Sequence, residues 1–500
     1  MHSREAQSGD DKCEGNGSSV SRNRRRFLKS AALGGAGLVA GAVGVNAMTP
    51  WIWPERVPLE SNPSFWARSQ APPNAPLRKD LTVDVAVIGG GLTGLSSAYY
   101  IRTLSPQKSV AVLEAKGCGN GASGRNGAMV LTMTADRFMN FSNDPHMDKE
   151  IYDLTAGNVR SLAQLSASTG IDCDLDTVGT LQVCNSEADA EAARAYVARA
   201  VPLGMPVEYW DRKRLAAAIG SDVYHGGYFD PSGGHVNPMK LVRVFKSAAE
   251  RAGASVYENT AVEHVDEGQV HVLRTREGHL VRAKSLVLAC NAFAPNLGYF
   301  GNSILPLREY VAMTRPLSED ELGALGWHSR APFNDSRTEV FYFGLTQDRR
   351  VHIGGGIPQY SFNNAAPTSS NVDVHRQRLG RELARVFPRL AGVEFDLMWS
   401  GIIDWSLNAA PSVGYTGKYR NVFYGIGYSG HGVNLTSVFG RIIADLEGGR
   451  FESWQRFPFV NSGLDYVPNE PFRWMAAKAG VLWYTLQTTG QISHPARGPR

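Results

Sequence analysis

The run "LTVDVAVI", residues 81 to 88, is apolar and β-branched almost without a break, the pattern of a strand covered on both faces. Three glycines interrupt it at Gly89, Gly90 and Gly91. "LTGLSSAYYIRTL" then carries small and apolar residues at helical spacing, and "SVAVLEA" reads as a second short strand ending at Glu114. Strand, glycine turn, helix and strand in that order predict a parallel βαβ unit. "NPMKLVRVFKSAAERAGASVYENTAVEHV" repeats the switch from helix to strand, with Asn237 as cap before Pro238. "DAEAARAYVARAVPLG" reads as another helix. Near the end, "EPFRWMAAKAGVLWYTLQTTG" places Phe472, Met475, Ala479, Leu482, Trp483 and Leu486 on one helical face. That face is expected to pack on the protein itself, with peripheral docking on a membrane or a partner as the alternative.

The first glycine turn has the chemistry of a dinucleotide site. Gly89 makes the turn, Gly91 lets the backbone approach a pyrophosphate, and Gly94 permits close contact between helix and strand. The helix beginning near Leu92 offers free N–H groups and the positive end of its dipole to phosphate oxygens. Glu114, about 20 residues beyond Gly94, stands where a carboxylate accepts both hydroxyl hydrogens of an adenosine ribose. The spacing G-x-G-x-x-G recurs at Gly425, Gly427 and Gly430, but no comparable strand and acid follow it. A second nucleotide site is therefore not expected there. The fingerprint alone does not choose between FAD and NAD, which share the ADP half.

A chain of 500 residues with ordinary composition predicts two or more domains. A net charge of +4, with basic residues concentrated between Arg22 and Lys29, gives no nucleic-acid footprint. The five cysteines are scattered, with no spacing that suggests a metal site or a dithiol centre. Cys173 and Cys184 are near enough in sequence to pair, although nothing in the spacing requires it. "NRRRFLKSAALGGAGLVAGAVGVNA" has the order of an export signal: basic residues, a mildly apolar run, and small residues ending at Ala47. Arg24 and Arg25 before x-Phe-Leu-Lys resemble the twin-arginine motif, with Asn23 where Ser or Thr is commoner. The expectation is export through the twin-arginine machinery to the periplasm or cell exterior, with cleavage after Ala47 favoured over a membrane anchor. Residues 48–80, rich in Pro and Trp, are expected to form an extended arm.

"GCGNGASGRNGAMV", residues 117–130, resembles the loop after the ribose acid in the D-amino-acid oxidase (DAO) family of FAD-dependent oxidoreductases, and "GASGRNG" is similar to its gamma-glutamylputrescine oxidase-like branch. "GGHVNPMKLV", "LVLACNAFAP", "WSGIIDWSLNAAPSVG" and "YGIGYSGHGV" extend the resemblance to about Gly449. The resemblance implies an α/β fold: a Rossmann-like FAD-binding domain, discontinuous in sequence, plus a substrate domain with a mixed or antiparallel sheet. The FAD domain is expected over 81–135, 232–298 and 396–450, the substrate domain over 136–231 and 299–395, and a C-terminal extension over 451–500. Pyrophosphate and adenosine contacts fall by position on Leu92, Thr93, Glu114 and Ala115, flavin contacts on Ala122, Ser123, Asn126, Gly127 and Ala128, and an adenine contact on Val262. Neither a histidine in the matched loop nor a cysteine in a tethering context is present, so the FAD is expected to be held non-covalently; Cys118 reads as an inert thiol.

The chemistry so implied is oxidation of a C–N bond in an amine or amino acid by hydride transfer to flavin N5, giving an imine that water hydrolyses. Gly427, Tyr428, Ser429, Gly430, His431, Gly432 and Val433 precede an apparent helix, so their N–H groups are candidates to stabilise charge at the flavin's pyrimidine edge. His431 is the catalytic candidate, as donor or pocket wall, beside a purely structural role. The stretches 307–316 and 338–356 resemble substrate-domain strands and nominate Arg308, Tyr310, Tyr342 and Phe343 as substrate contacts, against the plain reading of strand aromatics as core. "RVHIGGG" has no arginine after His352 where amino-acid oxidases of this family hold a carboxylate, which tilts the expectation towards an amine. The electron acceptor is either O2 or a carrier. The alternatives are a flavin-binding scaffold without turnover and a flavin dehydrogenase of another small molecule.

Overall fold

The computed structural model describes residues 56–132, 144–365 and 368–488, apart from residues 60 and 338. The expected export signal over residues 1–47 and the start of the arm lie outside the described residues. Strand Leu81–Ile88 lies between Leu280–Leu288 and Val110–Leu113, parallel to both. Val85, Ala86 and Val87 have no exposed surface, the position its unbroken apolar run demands. The full order across this sheet is Ser412–Thr416, Val422–Ile426, Leu280–Leu288, Leu81–Ile88, Val110–Leu113 and Ser255–Tyr257. Strand His271–Thr275 adds antiparallel to Leu280–Leu288, and Val262–Asp266 adds antiparallel to His271–Thr275. Helix Leu92–Leu104 packs between Gly432–Glu447 and Pro238–Arg251, the last capped by Asn237 ahead of Pro238.

The second sheet runs Phe395–Trp405, Leu305–Thr314, Val351–Gly355, Phe341–Leu345, Phe333–Asp335, Thr180–Val183, Gly226–Asp230 and Glu208–Asp211. It is mixed: its pairs are antiparallel except Phe333–Asp335 with Thr180–Val183. One boundary needs correction. Strand Phe395–Trp405, placed with the dinucleotide domain by its sequence, pairs with Leu305–Thr314 from Leu305↔Trp405 to Thr314↔Phe395. Long-range pairing decides sheet membership, and the pattern of a single strand cannot report it.

The arm is also more than an extended strap. Phe65–Ser69 forms a 3-10 turn that buries Trp66, whose indole N–H donates to the Asn126 carbonyl at 3.0 Å. Trp66 also packs edge-on against a buried histidine pair, His235 and His352, whose Nε2 atoms are 3.1 Å apart. Two ring nitrogens at that distance require one donor and one lone pair, so at least one of the two rings must be neutral.

Burial, and secondarily Arg330, pushes His235 from 6.5 down to about 4; burial and then His235 hold His352 well below the ordinary histidine range. The unfolded chain takes up these protons first. Stability is therefore lost as pH falls from about 6.5 towards 4, by about 3 kcal/mol for His235 alone. Equilibrium unfolding at pH 7 and pH 4.5 should show a smaller acid loss for His235→Phe than for the native chain; equal losses would refute the assignment.

Candidate cofactor and substrate site

Strands Leu81–Ile88 and Val422–Ile426 run parallel with one strand between them, so both glycine loops open at the same edge of the sheet. They share one cavity of about 650 Å³. Gly89, Gly91, Leu92, Thr93, Glu114 and Ala115 line it with Ala122, Ser123, Asn126 and Val262, and Tyr428, Gly430, Gly432 and Val433 line it from the second loop.

The local geometry suits a dinucleotide. Gly89 adopts φ +110°, closed to ordinary side chains, and a Cβ on Gly91 would stand 2.8 Å from Ser123 Oγ. Gly91 caps the helix without a side chain over its first turn. Glu114 accepts the Gly90 N–H at 2.7 Å and the Lys116 N–H at 2.9 Å, which aims its carboxylate into the cavity. Burial raises its pKa, partly offset by those two donors. A further hydrogen-bonding group such as a ribose hydroxyl fits its remaining lone pairs.

Three nominated cofactor residues stand behind this wall. Gly94 packs the helix on the turn, Ala128 is fully buried at φ 60°, and Gly427 turns its N–H away into the protein. They shape the cradle without lining it. The loop 121–128 is itself held from behind: Asn126 Oδ1 accepts the Ala128 N–H at 2.8 Å, and Trp399 donates to the Arg125 carbonyl at 2.8 Å. Cys118 is buried and its thiol pushed up by burial, which leaves it protonated and unreactive. Cys173 and Cys184 are separate free thiols.

The second loop is anchored by a residue the sequence reading passed over. Asp404 is 1% exposed; its Oδ2 accepts the Gly427 N–H at 2.7 Å and its carbonyl accepts the Ser429 N–H at 3.2 Å. Gly427, Ser429 and Gly430 all have positive φ, so the loop folds back on the carboxylate. Tyr428 and Thr93 hydroxyls lie 2.8 Å apart and clamp the loop to the first helix. Burial lifts the Asp404 carboxyl from 3.8 to about 7, against the lowering effect of the backbone donors. His431 Nδ1 is 3.1 Å from the Ser429 carbonyl. A carbonyl only accepts, so Nδ1 carries the proton and Nε2 holds the lone pair of the neutral ring.

A second cavity, about 300 Å³, meets the first at Ala122, Asn126, Ile403, Gly430 and Val433, which line both. Gly127, Tyr342, Ser429 and His431 line the second one alone. The Tyr342 ring lies on Gly127, where a Cβ would approach its Cε2 to 2.2 Å.

The other three nominated substrate contacts are corrected. Leu305, Leu307, Glu309 and Val311 face the cavity, so strand alternation sends Arg308 and Tyr310 to the opposite face. There Arg308 donates to Ser400 Oγ at 2.9 Å and Tyr310 stacks on His375. Phe343 is core, stacked on Phe333. Glu309, Glu339 and Trp405 are cavity residues that were missed; the parity of Leu307, Glu309 and Val311 in "LREYVAMTRP" was the available signal.

The C-terminal helix Phe472–Thr488 supplies another wall, through Arg473, Ala476, Ala477, Gly480 and Val481. Its expected contact face is therefore corrected: Met475 and Leu482 are 51% and 61% exposed. The side chains of Trp483 and Leu486 lie outside the described residues. Small residues let the helix backbone approach the cavity, and a hydrophobicity pattern gives Ala and Gly little weight. The segment is firmly seated: buried Glu470 accepts the Tyr360 hydroxyl at 2.6 Å, and Arg473 donates to the Pro468 and Gly301 carbonyls at 2.8 and 2.6 Å.

Comparison with known proteins places this architecture. The family model described as FAD dependent oxidoreductase (DAO) matches residues 84–446. The chain is 31% identical over 456 residues to gamma-glutamylputrescine oxidoreductase of Escherichia coli (strain K12), covering 86% of this chain and 98% of that one. It is 26% identical to a probable oxidoreductase of Haemophilus influenzae, covering 84% and 95% of the two chains. The glycine oxidase structure from Geobacillus kaustophilus has the same fold, with a TM-score of 0.64 at 22% identity over 76% of this chain and 98% of that one.

Proposed function

Because this chain belongs to the DAO family of FAD-dependent oxidoreductases, we propose that it oxidises the carbon–nitrogen bond of an amine, in preference to a plain α-amino acid, to an imine that hydrolyses. The observation that carries this reading is the junction of the two cavities at Asn126, Ile403, Gly430 and Val433. FAD, held without a covalent bond, supplies the hydride acceptor. Everything else falls to the protein: position the substrate C–H, keep the reacting nitrogen neutral, and shield the junction from water.

The preference for an amine rests on the cations of the cavity wall. Arg125 is engaged with the Asn120, Ser400 and Asn62 carbonyls, and Arg473 with those of Pro468 and Gly301. Arg308 faces away. A substrate carboxylate beside the reacting carbon finds no arginine presented to it among the described residues.

His431 lines the substrate cavity and not the cofactor cavity. We assign its Nε2 the task of taking the proton from the bound ammonium. His431→Ala should therefore retain FAD while slowing anaerobic flavin reduction about 10- to 100-fold near neutral pH. Unchanged reduction kinetics would remove His431 from the mechanism. The decisive screen for the function is anaerobic bleaching of the flavin by a panel of amines and amino acids. Stable oxidised flavin across the panel would favour a scaffold. Admitting air to the reduced protein and assaying peroxide then identifies O2 or a carrier as the acceptor.

Export by the twin-arginine route is part of the same proposal, supported by Arg24, Arg25 and the small-residue end at Ala47. Replacing both arginines by lysine should retain the protein in the cytoplasm; unchanged export would exclude that route.

A further inference from the structure

The chain ahead of the first strand meets the cofactor cavity at two places. Arg56, Val57, Pro58 and Leu59 line the cavity themselves, on a stretch that precedes the residues 84–446 matched by the family model. Val57 is buried beside Ala292 and Ile402, and one side chain holds its backbone: Asn296 accepts its N–H at 2.9 Å and donates to its carbonyl at 3.0 Å. The second meeting is at the loop that carries Ala122, Ser123 and Asn126. There the carbonyls of Gly124, Arg125 and Asn126 accept in turn from Ser64 Oγ at 2.6 Å, Trp399 Nε1 at 2.8 Å and Trp66 Nε1 at 3.0 Å. The Arg125 guanidinium donates back to the Asn62 carbonyl at 2.6 Å.

These bonds hold one side of a loop whose other side is cavity wall. Ser123 Oγ accepts the Leu92 N–H at 2.9 Å, at the start of the first helix, and Asn126 lines both cavities. So short a stretch of backbone cannot shift on one side alone. A buried carbonyl deprived of its donor is costly, so the loop keeps this shape best while the arm is seated. Nearer the first strand the arm is tied to the framework instead: Asn74 donates to Glu250 Oε1 at 2.6 Å and to the Val256 carbonyl at 3.0 Å, and the Leu77 N–H donates to Thr260 Oγ1 at 3.0 Å. None of these five residues lines the cavity.

We propose that the arm is the clasp of the FAD: residues 56–59 form part of its cavity wall, and Ser64 and Trp66 are positioning residues that hold the loop 122–126 against the bound cofactor. The clasp rests on FAD in that cavity, as family membership gives it, and on no property of the substrate. Coupling of this kind is reciprocal. If the seated arm tightens FAD by some factor, FAD favours the seated arm by the same factor, which a segment that merely covers the surface does not show.

The test uses the FAD-loaded full chain at pH 7.5, with FAD release on dilution followed by flavin fluorescence. Ser64→Ala and Trp66→Phe each remove one donor to the loop and should release FAD about 3- to 10-fold faster than the native chain. Asn74→Ala removes two bonds of the same arm away from the cavity; it should lower the unfolding midpoint yet release FAD at the native rate. Hydrogen exchange at residues 62–69 should slow about tenfold or more when the flavin-free chain is loaded with FAD. Exchange at strand Glu208–Asp211, which lines neither cavity, should not change. Native release rates in both loop-side variants would overturn the proposal, as would exchange at 62–69 that FAD leaves unaltered. Equal acceleration by Asn74→Ala would make the effect a general loosening and overturn it as well. A native chain that takes up no FAD would refute the cofactor and the clasp together, whereas a loaded chain that no amine bleaches would remove the amine reading alone.

Discussion

Replacing Gly94 by alanine is expected to yield protein that purifies almost free of FAD. The added Cβ would lie 1.9 Å from the Gly89 carbonyl oxygen and 3.2 Å from a Val87 methyl. Backbone cannot swing aside as a flexible side chain does, so the helix must move off the turn. Overpacking of this kind costs on the order of 1–3 kcal/mol in a rigid core. The larger consequence is local: Gly89 and Gly91 lose the register that brings the helix N-terminus to the phosphates. A fall in FAD affinity of about 100-fold or more follows if as little as about 3 kcal/mol of binding is lost. The ratio of flavin to protein absorbance checks it, with circular dichroism to confirm a folded chain. A Gly94→Ala protein that retains stoichiometric flavin would show that this contact does not govern the cofactor.

Asp404→Asn should produce the second large effect, and its sign depends on pH. In the folded protein the carboxyl rises to about 7 from 3.8 because it is buried. The folded chain thus holds a proton that the unfolded chain has released, and stability is lost as pH rises from about 4 through 7. The difference corresponds to about 4 kcal/mol when fully expressed. Asparagine retains an oxygen for the Gly427 N–H and carries no charge at any pH. The variant should therefore come nearest the native chain below about pH 4 and be more stable at pH 8.5, by about 4 kcal/mol. Denaturant titration at the two pH values measures this directly. Equal stabilities at pH 8.5 would mean that the buried carboxylate ionises without penalty.

The same residue bears on the flavin. Ionised Asp404 places negative charge behind the N–H groups of the loop 427–430, opposing their stabilisation of an electron-rich cofactor edge. Flavin reduction in the native chain should carry an inflection near pH 7 that is missing in Asp404→Asn. Asp404→Ala leaves the buried Gly427 N–H without its acceptor, at a cost of about 1–3 kcal/mol, and should slow reduction at every pH.

Much of the cofactor site is legible in the sequence because its information is local. From Leu81 to Glu114 a single uninterrupted stretch contains the strand, the turn, the helix and the ribose acid, and each step follows from glycine stereochemistry and apolar period. The loop "GASGRNG" and the stretch "GYSGHGV" also join that cavity in continuous pieces. The substrate side could not be read in the same way. Whether Arg308 or Glu309 enters the cavity depends on which face of the second sheet is covered, and that is set by pairing with Phe395–Trp405 and by Tyr310 stacking on His375. Choosing residues by chemical type selected the wrong parity.

Sequence alone thus determined the βαβ unit and its glycine loop, since backbone geometry and short-range spacing suffice for them, and pointed to the family through the resemblance of its motifs. Only the tertiary structure decided three further points. Trp66 of the arm supports Asn126, Asp404 holds the second glycine loop, and the small-residue face of the C-terminal helix lines the cavity while Met475 and Leu482 remain exposed. Each joins segments far apart in the chain, where the deciding quantity is the space left between packed elements and not the character of any one stretch.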